Sequence, residues 1–134
     1  MQQESYRGFK ELNCWKEARS LRRQISILTK TFPKEEKFEL ISQMKRASRS
    51  VTANIAEGYG RYTYNDTRHF FINARGSVAE ILDHLSVAID EEYINEAVSE
   101  GFEKQCETVF KLLNGYIAYL DRENKLLKQP NSQS

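Results

Sequence analysis

The stretch VSEGFEKQCETVFKLLNGYIAYL, residues 98–120, decides the architecture. Within it Val98, Phe102, Cys106, Val109, Leu113, Tyr116 and Leu120 recur at steps of four and three. That interval holds side chains on a single stripe of an α-helix. A stripe of alternating threes and fours is a coiled-coil-like seam, and such a helix must bury it against partner helices.

The partners lie upstream. Phe70, Phe71, Ala74, Val78, Ile81, Leu82, Leu85, Ala88 and Ile89 give a broad apolar face to a helix that runs to about residue 91. Tyr93-Ile94-Asn95 then makes the turn, with Asn95 as N-cap of the last helix. Leu40, Ile41, Met44, Ala47, Val51 and Ile55 mark a second helix, from about 34 to 57 or 59. Gly58 and Gly60 are expected to end it as C-cap residues, and Thr63 or Asn65 to cap the third. The first helix spans about 11–30 through Leu12, Trp15, Ala18, Leu21, Ile25 and Leu28. Phe32-Pro33 ends it and opens the next, because proline suits a first helical turn. Glu35 and Glu36 near that start favour the positive end of the helix dipole. No segment alternates with a period of two long enough for a sheet. The expectation is an all-α, antiparallel up-down-up-down four-helix bundle over 11–127, with an N-terminal arm over 1–10 and a disordered tail over 128–134.

With 134 residues, 40% of them hydrophobic and 29% charged, the chain has room for one domain with a proper core. No run approaches the ~20 apolar residues of a membrane span, and the first residues lack the basic and apolar regions of a signal peptide. Cys14 and Cys106 fall in no metal-type spacing, so two inert thiols in a reduced, cytoplasmic protein are expected.

The net charge of +1 conceals a split. Residues 1–75 carry 15 Lys or Arg against 8 Asp or Glu, and residues 76–134 carry 5 against 11. Either the two halves attract one another within a solvated surface, or they present a basic and an acidic face to partners or to other subunits.

A polar stripe runs beside the core of the second helix: Gln43, Ala47, Ser50, Asn54, Glu57 and Arg61 step by four and three. Ser77, Glu80 and His84 form a matching set on the third. One reading is a hydrogen-bonded network that fixes helix register or forms a seam to another subunit, with Gln43, Ser50, Asn54, Glu57, Ser77 and Glu80 as its members. The other is a groove for phosphate or base edges. A buried Glu57 or Glu80 would need a partner, which Arg46, Arg49, Arg61 or Arg75 could supply. Basic residues gather nearby. Lys45, Arg46 and Arg49 lie on the outward side of the helix, while Arg61, Arg68 and His69 surround the next loop with Tyr59, Tyr62 and Tyr64. Arginine beside exposed tyrosine suits single-stranded nucleic acid, so Lys45, Arg46, Arg49, Arg61 and Arg68 are candidate phosphate contacts and Tyr62 or Tyr64 a stacking ring. A tyrosine-rich loop packed on the bundle end or buried between subunits fits the same residues.

A di-metal carboxylate bundle needs two Glu-x-x-His pairs and two further inward glutamates. The only histidines are His69, three residues after Asp66, and His84, four after Glu80. There is no Gly-rich phosphate loop, G-x-S-x-G elbow or H-E-x-x-H. No catalytic centre, metal or cofactor is expected.

The stripe belongs to a longer pattern, Gln43-x-x-Arg46-Ala47-x-x-Ser50-Val51-x-x-Asn54-Ile55-Ala56-Glu57-Gly58-x-Gly60-Arg61. It resembles the central motif of the four-helix-bundle proteins encoded in intervening sequences of bacterial 23S ribosomal RNA genes. Leu12-x-x-Trp15-x-x-Ala18, Phe32-Pro33 and Ala74-Arg75-Gly76-Ser77-Val78-Ala79-Glu80 resemble that family's first helix, first turn and third helix. The likeness covers about residues 9–120. It implies a ring-like homo-oligomer, with a pentamer expected. More distantly the chain is similar to the accessory variability determinant protein of diversity-generating retroelements, a more basic pentamer that associates with a reverse transcriptase and nucleic acid. The resemblance therefore implies a non-catalytic accessory in an RNA or ribonucleoprotein context. The alternative is a protein-only scaffold assembled through basic-to-acidic subunit contacts.

Overall fold

The computed structural model describes residues 8–128. A 3-10 turn at Gly8–Glu11 leads into four helices: α1 Asn13–Thr29, α2 Leu40–Tyr59, α3 Tyr64–Asp90 and α4 Glu96–Lys128. Each packs on its neighbours in sequence, α2 and α3 sharing the most extensive contact, and α1 closes the ring against α4. This is the expected antiparallel four-helix bundle. The first seven residues of the expected arm and residues 129–134 of the expected tail lie outside the described residues, while Lys128 ends α4.

The apolar stripes meet on the bundle axis. Leu21 and Ile25 of α1, Met44 and Ile55 of α2, Phe71, Val78 and Ile81 of α3, and Val109 and Leu113 of α4 are fully enclosed. Each large aliphatic or aromatic side chain buried in this way contributes about 1.5–3 kcal/mol. Phe71 stacks on Tyr116 with ring centroids 4.5 Å apart, locking α3 to α4 near one end.

Helix boundaries follow from local chemistry, and two depart from expectation. Instead of one helix from residue 34, the chain makes a 3-10 turn at Lys34–Glu36 and restarts at Leu40. The Glu36 carboxylate explains the break. One oxygen accepts the Leu40 N–H at 3.2 Å and the other the Tyr93 hydroxyl at 2.7 Å, so Glu36 serves the start of α2 from outside it. At the far end Gly60 is the C-cap, but with φ −81° it is right-handed, and Gly58 lies within the helix. Gly58 is required by packing: a Cβ there would stand 2.8 Å from Phe70 Cβ and 3.0 Å from the Phe71 ring. Thr63, not Asn65, caps α3 through Asp66 N–H, and Asn95 Oδ1 accepts Val98 N–H at 2.9 Å to start α4. Between them Glu92 takes the left-handed position, φ 62°, and Tyr93 N–H reaches back to Ala88 O. That is the backbone signature of a Schellman ending, with glutamate where glycine is usual.

No helix among the described residues is long and apolar enough to cross a membrane. Cys14 and Cys106 are free and buried; burial pushes their thiols up to about 11 and about 12.

Candidate nucleic-acid interface

Antiparallel packing of α1 on α2 brings together cations that lie more than 20 positions apart. Arg22 and Ser26, four apart on α1, face Lys45, Ser48, Arg49 and Thr52 on α2. The Arg22 guanidinium donates to Thr52 Oγ1 at 2.9 Å, which fixes it across the seam. An open groove of about 380 Å³ is lined by Arg22, Arg23, Ser26, Lys45, Ser48 and Arg49. Arg23 also lines the next groove along α1, of about 250 Å³, with Lys16 and Arg19. None of the described ion pairs involves Arg22, Arg23, Lys45 or Arg49. Four cations outside the described ion pairs, with the half-buried Ser26 hydroxyl among them, are chemically suited to a polyanion such as a phosphate backbone. The Ser48 hydroxyl is buried and donates to the Lys45 carbonyl at 3.0 Å.

The seven residues singled out by sequence divide into three places. Lys45 and Arg49 enter this groove. Arg46, one position on, turns to the α2–α3 side and lines a different groove of about 550 Å³ with Gln43, Ala47, Ser50, Glu80 and His84. Arg61, Tyr62, Tyr64 and Arg68 sit at the bundle end, where Arg61 is about 24 Å from Lys45 along the chain's helical rise. The Arg61 guanidinium holds Glu57 at 2.8 Å and lies 4.8 Å from the Phe70 ring centroid. Tyr62 is 93% exposed. Tyr64 and Arg68 converge on α4 instead of solvent: the Tyr64 hydroxyl donates to Asp121 Oδ1 at 2.6 Å and Arg68 Nε at 2.8 Å. Arg68, then Tyr64, hold the Asp121 carboxyl below its ordinary value, while Asp121 raises the Tyr64 phenol.

Sequence reasoning missed Arg22 and Arg23. Their signal is legible only after pairing α1 with α2 around the Phe32-Pro33 turn, which sets residue 22 opposite residue 52.

The polar stripe is partly a network. Ser77 Oγ donates to Ser50 Oγ at 2.9 Å, with the Asn73 carbonyl 3.2 Å away as the other acceptor for that proton. The Asn54 amide donates to the Ser50 carbonyl at 2.9 Å and to its hydroxyl at 3.0 Å. Ser77 is buried and Ser50 and Asn54 are half-buried, so these three polar groups are satisfied inside the α2–α3 seam. Gln43 and Glu80 stand at its open edge, both exposed. Glu57, also exposed, pairs with Arg61 outside the network. Neither glutamate is the buried carboxylate that spacing allowed. Arg75 turns away to Asn114 Oδ1 at 2.7 Å. Among the described residues no three His, Cys, Asp or Glu side chains gather as metal ligands.

Two comparisons bear on this architecture. The family model described as 23S rRNA-intervening sequence protein matches residues 10–115. Among solved structures, the chain is similar to a protein of unknown function from the S23 ribosomal protein family of Bacteroides thetaiotaomicron. The two are 24% identical with a TM-score of 0.73, over 78% of this chain and 95% of that one. That likeness is one of fold. No curated protein matches the chain.

Proposed function

The chain belongs to the 23S rRNA-intervening sequence protein family, and from that premise we propose that it is a non-catalytic, homo-oligomeric accessory protein that binds RNA through its α1–α2 face. The observation that carries this reading is the groove lined by Arg22, Arg23, Lys45 and Arg49. Its guanidinium and ammonium groups suit phosphate oxygens, and the half-buried Ser26 adds a hydroxyl beside them. Arg46 and the Arg61–Tyr62 corner are secondary contacts on a longer RNA.

The test is RNA binding by the full chain from ~50 to ~200 mM salt, where backbone contacts lose affinity steeply. Arg23→Glu with Arg49→Glu, both exposed in the fold, should abolish retention at the upper salt and flatten the salt slope by about two contacts. Unchanged binding by this variant sinks the proposal.

A second reading has its own support. Glu96, Glu100, Glu103 and Glu107 form an exposed acidic row on α4, which suits a protein-only scaffold where the basic face of one subunit meets the acidic face of the next. A stable oligomer at ~50 mM salt that retains no RNA favours it.

A further inference from the structure

The turn between α1 and α2 holds a further, differently built cavity. It has a volume of about 490 Å³ and an apolar floor made by Phe32 and Ile41, with Thr29 also in the lining. Lys30, Lys34, Lys37 and Lys45 line the rest. Lys30 has a structural reason to be there, since it caps the C-terminus of α1 and meets its negative end. Lys34 and Lys37 have none, lying in the 3-10 turn and just after it, and Lys45 lies within α2.

Three carboxylates lie in or beside the same turn, and exposed Glu35 and Glu39 are in no described ion pair with these lysines. Glu36, in the same turn, spends one oxygen on Leu40 N–H and the other on the Tyr93 hydroxyl. None of the four lysines is in a described ion pair. A further feature points to a ligand. Phe38 is 84% exposed, and its ring centroid lies 5.3 Å from Nζ of Lys37, which itself lines the cavity. A phenylalanine left in water forgoes its burial energy, and this one, outside the cavity's own lining but beside the Lys37 ammonium, is a ready stacking surface.

We propose that this cavity binds a nucleotide bearing an unesterified terminal phosphate, with phosphates among Lys30, Lys34, Lys37 and Lys45 and the base against Phe38. A triphosphate suits four ammonium groups, because compact cations engage phosphates as point charges. The apolar floor takes the ribose and the edge of the base. Such a nucleotide is either free or the phosphorylated end of an RNA. The site shares only Lys45 with the arginine-lined groove and does not depend on it.

The experiment is a calorimetric titration of the full chain with ATP and with inorganic tripolyphosphate. A parallel binding assay compares a short oligoribonucleotide carrying a 5′-phosphate with its 5′-hydroxyl counterpart. ATP should bind roughly tenfold more tightly than tripolyphosphate, the margin expected of one stacked base. Phe38→Ala should erase that margin, and Lys34→Glu with Lys37→Glu should abolish both. These lysines and Phe38 are exposed, so the variants keep the fold. Arg23→Glu alone, outside this cavity's lining, should weaken RNA binding and leave ATP binding as in the parent, which separates this site from the RNA groove. Preference for the 5′-phosphate without ATP binding, lost in the lysine variant, identifies the RNA end as the source. The proposal is overturned if the chain shows neither ATP binding nor a 5′-phosphate preference, if ATP and tripolyphosphate bind equally, or if the lysine variant binds unchanged.

Discussion

Gly58 is the residue on which the α2–α3 contact turns. Its missing Cβ lets the helix sit against Phe70 and Phe71, where any side chain would come within 2.8 Å of another carbon. Gly58→Ala should therefore cost about 1–3 kcal/mol by overpacking, read as a lower urea midpoint with unchanged slope. Glu92 presents the opposite case, since it holds a left-handed backbone that an L-residue adopts at a cost. Glu92→Gly should raise stability by about 1 kcal/mol, in spite of glycine's greater freedom in the unfolded chain. The cysteines should be inert. With both thiols buried and pushed up to about 11 and about 12, a thiol-alkylating reagent at pH 8 should leave the native protein unmodified and label two sites after denaturation. A native chain that takes up label within minutes would contradict the buried placement. At this scale the sequence was only half legible. Spacing placed Ser50 and Asn54 on one face of α2 and Ser77 on a matching face of α3, because each face is specified within its own helix. Gly58 looked like a helix end, because its reason to be glycine lies on another helix.

Among elements, all four helices could be read from three-and-four spacing, while the start of α2 could not. Its delay to Leu40 comes from a hydrogen bond between Glu36 and Tyr93, 57 positions apart, which no local pattern encodes. The clasp of Tyr64 and Arg68 on Asp121 is equally non-local, and it ties the first turns of α3 to α4. Its pH dependence has a definite sign. Asp121 has a folded pKa below its unfolded one, so the clasp contributes fully above the ordinary aspartate value of about 4 and fades as pH falls through the lowered one. Asp121→Asn should thus be less stable than the parent at pH 7, and the gap should narrow toward pH 2. A gap constant with pH would mean that the charge is irrelevant. Across the α2–α3 seam, a double-mutant cycle with Ser50→Ala and Ser77→Ala should return a coupling of about 0.5–1.5 kcal/mol. Zero coupling would mean that the two hydroxyls do not serve each other.

For the whole molecule, the chain has a basic half and an acidic half, and the bundle turns that division into geography. α1 and α2 pack side by side and pool their cations, while α4 carries the row Glu96, Glu100, Glu103 and Glu107. The candidate patch drawn from sequence, Lys45 to Arg68, spans α2, the following loop and the start of α3, and nearness along the chain does not make it one surface. Its residues fall instead on two grooves and one end of the bundle. Segregation at a net charge of +1 also has a kinetic meaning. A nearly neutral body exerts little pull on a distant polyanion, and at physiological salt even local fields die within ~8 Å. In the proposed capture of RNA such a molecule would act as a compass needle: close encounters rotate it, basic face first, before they hold it. Orientation, and not attraction from afar, then limits capture. Glu100→Lys with Glu103→Lys would move the net charge from +1 to +5 without touching the arginine groove. Under the proposed RNA-binding role, it should in stopped-flow at low salt accelerate RNA association several-fold while leaving dissociation nearly unchanged.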